Sequence, residues 1–227
     1  MTPPGSHSES RPGETLQPRF RFVFFDVDST LVTFEGIDAL AAGNPEIASL
    51  TAAAMNGEVP LDDVYERRLE IIRPTRTAVE ALGAKYCQSL VPGAAATITA
   101  LQNAGVQVHL VSAGIAQAIA PLAEVLAIPP RSVHAVALQF SGDEYSGFDR
   151  RSFLTRAGGK ELVVRDVRAR SHGKAAFVGD GVSDLEAKRA VDLFVGFGGV
   201  AVRPQVKDNA EVFVTTFDEV LKRLTYD

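Results

Sequence analysis

The stretch Phe20-Arg21-Phe22-Val23-Phe24-Phe25 runs directly into Asp26-Val27-Asp28-Ser29-Thr30, and that junction constrains the fold more than any other part of the chain. The run is short, β-prone and apolar at most positions, the pattern of a strand buried in a parallel sheet. A second run, Ala175-Ala176-Phe177-Val178, ends in the same way on Gly179-Asp180-Gly181-Val182-Ser183-Asp184. Other apolar runs lie at 106–111, 133–138, 193–195 and 212–214, with helix-like stretches at 94–104, 115–126 and 184–190 between them. Gly105 is a good helix stop, Ser112 closes the run at 106–111, and Gly142-Asp143-Glu144 marks a hairpin turn. Strands alternating with helices predict an α/β fold: a doubly wound, mostly parallel, Rossmann-like sheet with right-handed crossovers. Such sheets collect ligands at the carboxyl ends of their strands.

From residue 35 to 91 the texture changes to Ala, Leu and Glu at helical spacing, with Val64, Arg68, Leu69 and Ile72, then Val79 and Leu82, and Pro74 breaking the run. A small helical insert over residues 34–91 is expected, set after the first strand into a core made of 19–33 and 92–227. Residues 1–18 are rich in Pro, Ser and Gly and predict a disordered tail; they lack the hydrophobic centre of a secretory signal, and Glu9 and Glu14 argue against a mitochondrial presequence. With 227 residues, nearly half of them apolar, the chain can bury a full core. Its net charge of -5 argues against a nucleic-acid partner, which would require clustered Lys and Arg, and no apolar run approaches membrane-spanning length. The single cysteine, Cys87, rules out an intrachain disulfide and suits a reducing compartment, so a cytoplasmic location is expected. The oligomeric state stays open between monomer and homodimer. His7, His109, His134 and His172 have no metal-ligand spacing, and Tyr65 and Tyr86 read as packing residues.

Chemistry concentrates where strands end. Asp26 and Asp28 follow one apolar strand; Asp180 and Asp184 follow another, and their spacing lets both face one side after a glycine turn. If the two strands are neighbours, four carboxylates converge, and their repulsion opposes folding unless a cation lies among them. Oxygen-only ligands point to a hard ion, for which Mg²⁺ is the natural choice. The competing reading is that each pair only caps the helix after it. Ser112 and Lys160 supply a hydroxyl and an ammonium of the kind a phosphoryl group requires, although a strand-terminal Ser is commonly a cap and a Lys after Gly158-Gly159 is commonly a solvated charge.

The order and wording of these motifs resemble the phosphoserine phosphatases of the haloacid dehalogenase superfamily over nearly the whole chain after the tail. The resemblance is carried by Phe25-Asp26-Val27-Asp28-Ser29-Thr30-Leu31, Glu35-Gly36-Ile37-Asp38, Val111-Ser112-Ala113-Gly114, Gly158-Gly159-Lys160, Val178-Gly179-Asp180-Gly181, Phe197-Gly198-Gly199 and Val206-Lys207-Asp208-Asn209-Ala210. It implies that Asp26 is a nucleophile forming an aspartyl-phosphate and that Asp28 is the general acid and base. It also implies Mg²⁺ held by the Asp26 carboxylate, the Asp28 backbone carbonyl and Asp180, with Asp184 as ligand or close support. Ser112, Ala113, Gly114 and Lys160 would hold the phosphoryl oxygens. The insert resembles a small mobile cap in which Glu35 receives the amino group of phosphoserine and Arg68 its carboxylate, with Arg67 the nearest rival to Arg68; Met55, in the matching Met55-Asn56-Gly57, is implied as a further substrate-binding residue. The chain departs from the family at Ala113, where Gly is usual, and at Ser183, where Asn or Thr is more familiar.

The expectation is thus a magnesium-dependent hydrolase of a small phosphomonoester, L-phosphoserine, acting in serine biosynthesis. The alternatives are a phosphatase or phosphotransferase for another small phosphomonoester, and a non-catalytic phosphate-binding regulator.

Overall fold

The computed structural model of the chain describes residues 16–226 except 57 and 60, so most of the expected tail, and Gly57 of the Met55 motif, lie outside the described residues. Gln17 and Pro18, which the sequence places in the tail, form a strand. β1 (Gln17–Pro18) pairs antiparallel with the last strand, β10 (Thr225–Tyr226), so those residues are ordered by the opposite end of the chain.

β2 (Phe22–Phe25) is buried at every position, as its composition predicts. Four helices follow, α1 (Gly36–Leu40), α2 (Pro45–Met55), α3 (Leu61–Ile72) and α4 (Arg76–Gln88). Arg73, left-handed at φ 43°, and Pro74 end α3, and the Thr75 side chain caps α4 by accepting from Ala78 N–H. α5 (Ala94–Asn103), β3 (Gln107–Ile115), α6 (Ala116–Val125) and β4 (Val133–Val136) come next. The hairpin β5 (Leu138–Ser141) and β6 (Glu144–Phe148) turns at Gly142 as expected, with φ 62° there. The chain closes with α7 (Gly159–Ala169), β7 (Ala175–Gly179), α8 (Val182–Glu186), β8 (Leu193–Phe197), α9 (Pro204–Asn209), β9 (Val212–Val214) and α10 (Phe217–Leu224).

Six strands form one parallel sheet in the order β4-β3-β2-β7-β8-β9, the doubly wound α/β arrangement. Aromatic side chains pack along one face, with Phe24 6.4 Å from Phe177 and Phe177 6.1 Å from Phe194, ring centroid to centroid; Phe25 and Phe197 meet Phe217 of α10 on the other. β2 lies at the switch point, flanked by β3 and β7, so the residues following these three strands face one crevice. In one detail the structure differs from the sequence expectation: β3 does not stop at Ser112 but continues to Ile115. Val111 pairs with His134 and Ile115 with Val136, so Ser112, Ala113 and Gly114 bulge out of the ladder toward the crevice.

Of the four helices between β2 and α5, α4 is fastened to the core. Gly83 lets α4 approach α6 closely, since a Cβ there would lie 3.2 Å from Pro121 Cγ and 3.3 Å from the Ala118 carbonyl. A bridge between Val32 and Leu90 closes the base of the segment.

Candidate active site

The turn after β2 is built to aim side chains. Thr30, Leu31 and Val32 all donate backbone N–H groups to the Val27 carbonyl, and Ser29 takes a left-handed φ of 52°, a strained conformation of the kind that collects at functional sites. Asp26 continues β2, its N–H donating to the Val178 carbonyl of β7 at 3.0 Å. The hydroxyls beyond it orient other carboxylates. Thr30 donates to Asp180 Oδ1 at 2.8 Å and Ser29 to Glu35 Oε1 at 2.6 Å.

Asp26, Asp180 and Asp184 are all buried, and one carboxylate oxygen from each lies within 4.8 Å of the others. Gly179 allows this closeness, because a Cβ at that position would overlap the Asp184 carboxylate. Asp184 Oδ2 accepts from Gly181 N–H, so it caps α8 while also serving the cluster; the two readings of that pair coexist. The Asp28 side chain stands apart from the trio, and its Oδ1 accepts from the Tyr86 hydroxyl. Among the four aspartates expected as ligands, Asp28 is the one whose side chain lies outside this group.

Lys160 is not a solvated charge. It lies in the first turn of α7, 5% exposed, with Nζ 2.9 Å from Asp26 Oδ1 and 2.5 Å from Asp184 Oδ1. Burial alone would lower its pKa, but the Asp184 and Asp26 carboxylates outweigh burial and hold it above the usual lysine range. Removal from water, reinforced by the neighbouring Asp184, raises Asp26 well above an ordinary aspartate. Burial, then the charge of Glu35, pushes Asp28 and Asp180 up to about 7. Lys160 and Arg203 thus do not offset burial at Asp26 and Asp180, which as they stand retain protons near neutral pH. A buried, oxygen-only, electron-rich set of this kind fits a hard divalent cation.

One cleft of about 550 Å³, counting its open mouth, is lined by Asp26, Asp28, Glu35, Met55, Arg68, Ser112, Ala113, Gly114 and Lys160, together with Ile37, Ala54 and Ser183. Every catalytic and substrate-binding candidate from the sequence is brought to it. Arg67 is not: it is exposed and pairs with Glu46 at 2.6 Å. Arg68 is buried, donates through Nη1 to Thr51 Oγ1 at 3.1 Å, and its Nε finds no hydrogen-bond partner among the described residues. Ser112 Oγ accepts from Gly114 N–H at 2.9 Å, which holds the bulge and leaves the hydroxyl proton free to donate.

Two residues of the site escape the sequence reading. Arg203, the N-cap residue of α9, donates to Asp180 Oδ2 at 3.0 Å and to Glu35 Oε1 at 3.3 Å, tying the metal-type cluster to the insert. Its only local signal is Pro204, which fixes the start of α9, and its partner Glu35 lies 168 positions away. Tyr86, read as packing, is the donor to Asp28.

The carboxylate trio at the ends of β2 and β7, the hydroxyl on the β3 bulge and the buried lysine of α7 define an enzyme class. Residues 23–189 match the family model of haloacid dehalogenase-like hydrolases, and the chain belongs to that family. Within it, the chain falls among the phosphoserine phosphatases. It is 40% identical to the phosphoserine phosphatase of Mus musculus and 39% identical to that of Homo sapiens, each over 224 residues covering 96% of this chain and 98% of the relative. A chloroplastic phosphoserine phosphatase of Arabidopsis thaliana is 36% identical over 209 residues, covering 89% of this chain and 71% of the relative. Among solved structures, a phosphoserine phosphohydrolase-like protein from Francisella tularensis superposes with a TM-score of 0.81 at 23% identity, over 90% of this chain and 99% of that one. A substrate-bound phosphoserine phosphatase gives 0.79 at 23% identity, over 90% and 98%. At such identities these structures share the fold.

Proposed function

We propose that this protein is a cytoplasmic L-phosphoserine phosphatase that works through an aspartyl-phosphate on Asp26 and serves serine biosynthesis. The observation that carries the reading is the single cleft onto which Asp26, Asp28, Ser112, Lys160, Glu35 and Arg68 all open. No helix among the described residues is long and apolar enough to cross a membrane.

Asp26, Asp180 and Asp184, with the Asp28 carbonyl, would hold Mg²⁺, which supplies charge neutralisation for the phosphoryl group and its attacking carboxylate. Lys160 lies against Asp26 and balances charge on the transferring oxygens, and the Ser112 hydroxyl donates to one of them. An Asp26 carboxylate oxygen forms a bond to phosphorus as the ester P–O bond breaks, and the departing serine oxygen takes the proton of Asp28. Water then attacks the same phosphorus and gives a proton to Asp28, releasing phosphate and restoring the Asp26 carboxylate. The Asp28 carboxyl, shifted to about 7, exchanges protons in both directions at neutral pH.

Glu35 and Arg68 match the two charged ends of an amino acid. Glu35 uses Oε1 for Ser29 and Arg203, and the unpartnered Nε of Arg68 is a donor that a substrate carboxylate would satisfy. The helices α1, α2 and α3 form the small cap that closes over this end. Glu35→Gln and Arg68→Ala are expected to raise KM for L-phosphoserine at least tenfold while changing KM for p-nitrophenyl phosphate by less than about threefold. Equal losses on both substrates would defeat the assignment of these residues. A panel of phosphomonoesters, both phosphoserine enantiomers included, with and without Mg²⁺ and alcohol acceptors, tests the substrate itself; preference for another ester, or transfer to an alcohol, selects the alternative.

A further inference from the structure

Tyr86 belongs to the last turn of α4, is fully buried, and packs against Phe34 with ring centroids 5.0 Å apart. Its hydroxyl donates to Asp28 Oδ1 at 2.5 Å. The space for that hydroxyl depends on Gly36, because any Cβ there would overlap it and would also lie 3.4 Å from Asp28 Oδ1. With Oδ1 engaged by Tyr86, the other oxygen, Oδ2, is the one turned toward the β3 bulge: the position that a Cβ would take at Gly114 is 3.2 Å from Asp28 Oδ2. Gly114 and Ser112 of that bulge line the cleft. A carboxyl group free to rotate offers either oxygen, and only half of its orientations present the proton to the cleft; a buried hydrogen bond to one oxygen removes that freedom.

We propose that Tyr86 is a positioning residue for proton transfer: by holding Oδ1 it fixes Asp28 so that Oδ2 delivers the proton to the leaving oxygen and later receives one from water. The inference rests on the role of Asp28 given above. In the first transfer the Oδ2–H bond breaks and an O–H bond forms on the serine oxygen as the ester P–O bond breaks; in the second, water loses a proton to Oδ2 as its oxygen bonds to phosphorus. Tyr86 keeps its own proton throughout. Its placement on α4, close against Ala118 and Pro121 of α6 through Gly83, keeps this orientation independent of movement in α2 and α3.

The ordinary explanation, that the phenol merely satisfies its own buried hydroxyl, makes a different prediction. In single turnovers with enzyme in excess, release of the leaving group reads the first transfer alone. Serine is a poor leaving group that needs a proton, whereas p-nitrophenolate leaves without one. Tyr86→Phe keeps the ring and deletes the donor. It is expected to slow serine release from L-phosphoserine about tenfold and nitrophenolate release less than twofold, with KM for phosphoserine changed less than twofold. Equal slowing of both releases, or no slowing of either, overturns the proposal. If Tyr86→Phe does not fold, as judged by its thermal melt, Gly36→Ala displaces the phenol from the other side and must reproduce the same split between substrates. Wild-type enzyme inactive toward both esters refutes the proposed function; active wild type with an unsplit variant refutes only the role of Tyr86.

Discussion

At the scale of single residues, the site is decided by what can approach what. Asp184 reaches Lys160 and joins Asp26 and Asp180 because residue 179 has no side chain, and an added methyl group would occupy the volume of the Asp184 carboxylate. Gly179→Ala is therefore expected to push Asp184 aside, leaving Lys160 with one carboxylate and Gly181 N–H without its acceptor. Losing a ligand or its support typically weakens metal binding about 10–100-fold, so a calorimetric Mg²⁺ titration of the variant should show a drop in that range. Unchanged affinity would remove Asp184 from the metal site. The same scale shows which residues a sequence can disclose. Asp26, Asp28, Asp180 and Asp184 are legible because each pair directly follows an apolar strand, whereas Lys160, which by its glycine pair alone reads as a solvated charge, is legible only through the family resemblance of Gly158-Gly159-Lys160. Tyr86 and Tyr65 look alike in sequence, each a tyrosine among helical apolar positions. Folding gives the Tyr86 hydroxyl a carboxylate partner and leaves the Tyr65 hydroxyl with none among the described residues. Arg203 has no local pattern at all; its role arises from two partners supplied by distant elements.

Elements divide into those that fix the site and those that can open it. β2, β3 and β7 place Asp26, Ser112 and Asp180 in adjacent rows of one sheet, and their hydrogen-bonded register admits no relative sliding. α4 packs on α6 and belongs with them, whereas α2 and α3, beyond the buried Ile47, Tyr65 and Leu69 and the packing of Tyr65 on Phe148, are joined to the rest of the molecule by polar contacts at their rim. The Ala157 N–H donates to Asp62 at 2.7 Å, and Arg150 forms an exposed ion pair with Glu66, a type of contact that contributes little. Amide hydrogen exchange should therefore be faster in α2 and α3 than in α4 for the free enzyme, and Mg²⁺ with a non-hydrolysable phosphoserine analogue should slow α2 and α3 while leaving α4 nearly unchanged. Exchange in α4 that follows α3 would mean that the cap moves as a four-helix unit, Tyr86 included. The central strands and the hairpin are legible from apolar runs and turn residues, but three helices, α7, the short α9 and α10, are not visible in that reading. α7 starts at Gly158, left-handed at φ 72° and without a capping side chain, so Gly158-Gly159 reads as loop. α10 does carry signatures, the reciprocal capping box of Thr216 and Glu219 and apolar residues at 217, 220, 221 and 224, but they are spaced for a helix and a search for contiguous apolar runs passes over them. β1 and β10 need each other, and neither two-residue segment has a pattern of its own.

For the molecule as a whole, the buried carboxylates make stability depend jointly on pH and metal. In the unfolded chain an aspartate titrates near 3.8, whereas burial and the charge of Glu35 bring Asp180 to about 7 and burial holds Asp26 well above its ordinary value. The folded metal-free protein therefore binds more protons than the unfolded chain between these limits, and its stability falls as pH rises through the folded pKa. The histidine pair acts oppositely at the acid end. His109, lowered from 6.5 to about 4 by burial and by His134, contributes stability that is present above 6.5 and lost as pH falls toward 4. Above pH 6.5 the histidine effect fades and the carboxyl effect dominates, so the metal-free protein should melt at a lower temperature at pH 8 than at pH 6.5. One net proton over one pH unit corresponds to about 1.4 kcal/mol, or roughly 3–5 °C in Tm for a chain of this size. A divalent cation requires the same carboxylates deprotonated and binds only the folded site, so the increase in Tm on adding Mg²⁺ should grow from pH 6.5 to pH 8. Paired thermal melts in EDTA and in saturating Mg²⁺ at both pH values measure this directly. A metal-induced increase that is constant, or larger at pH 6.5, would mean that Asp26 and Asp180 are already ionised and balanced by Lys160 and Arg203 without a metal.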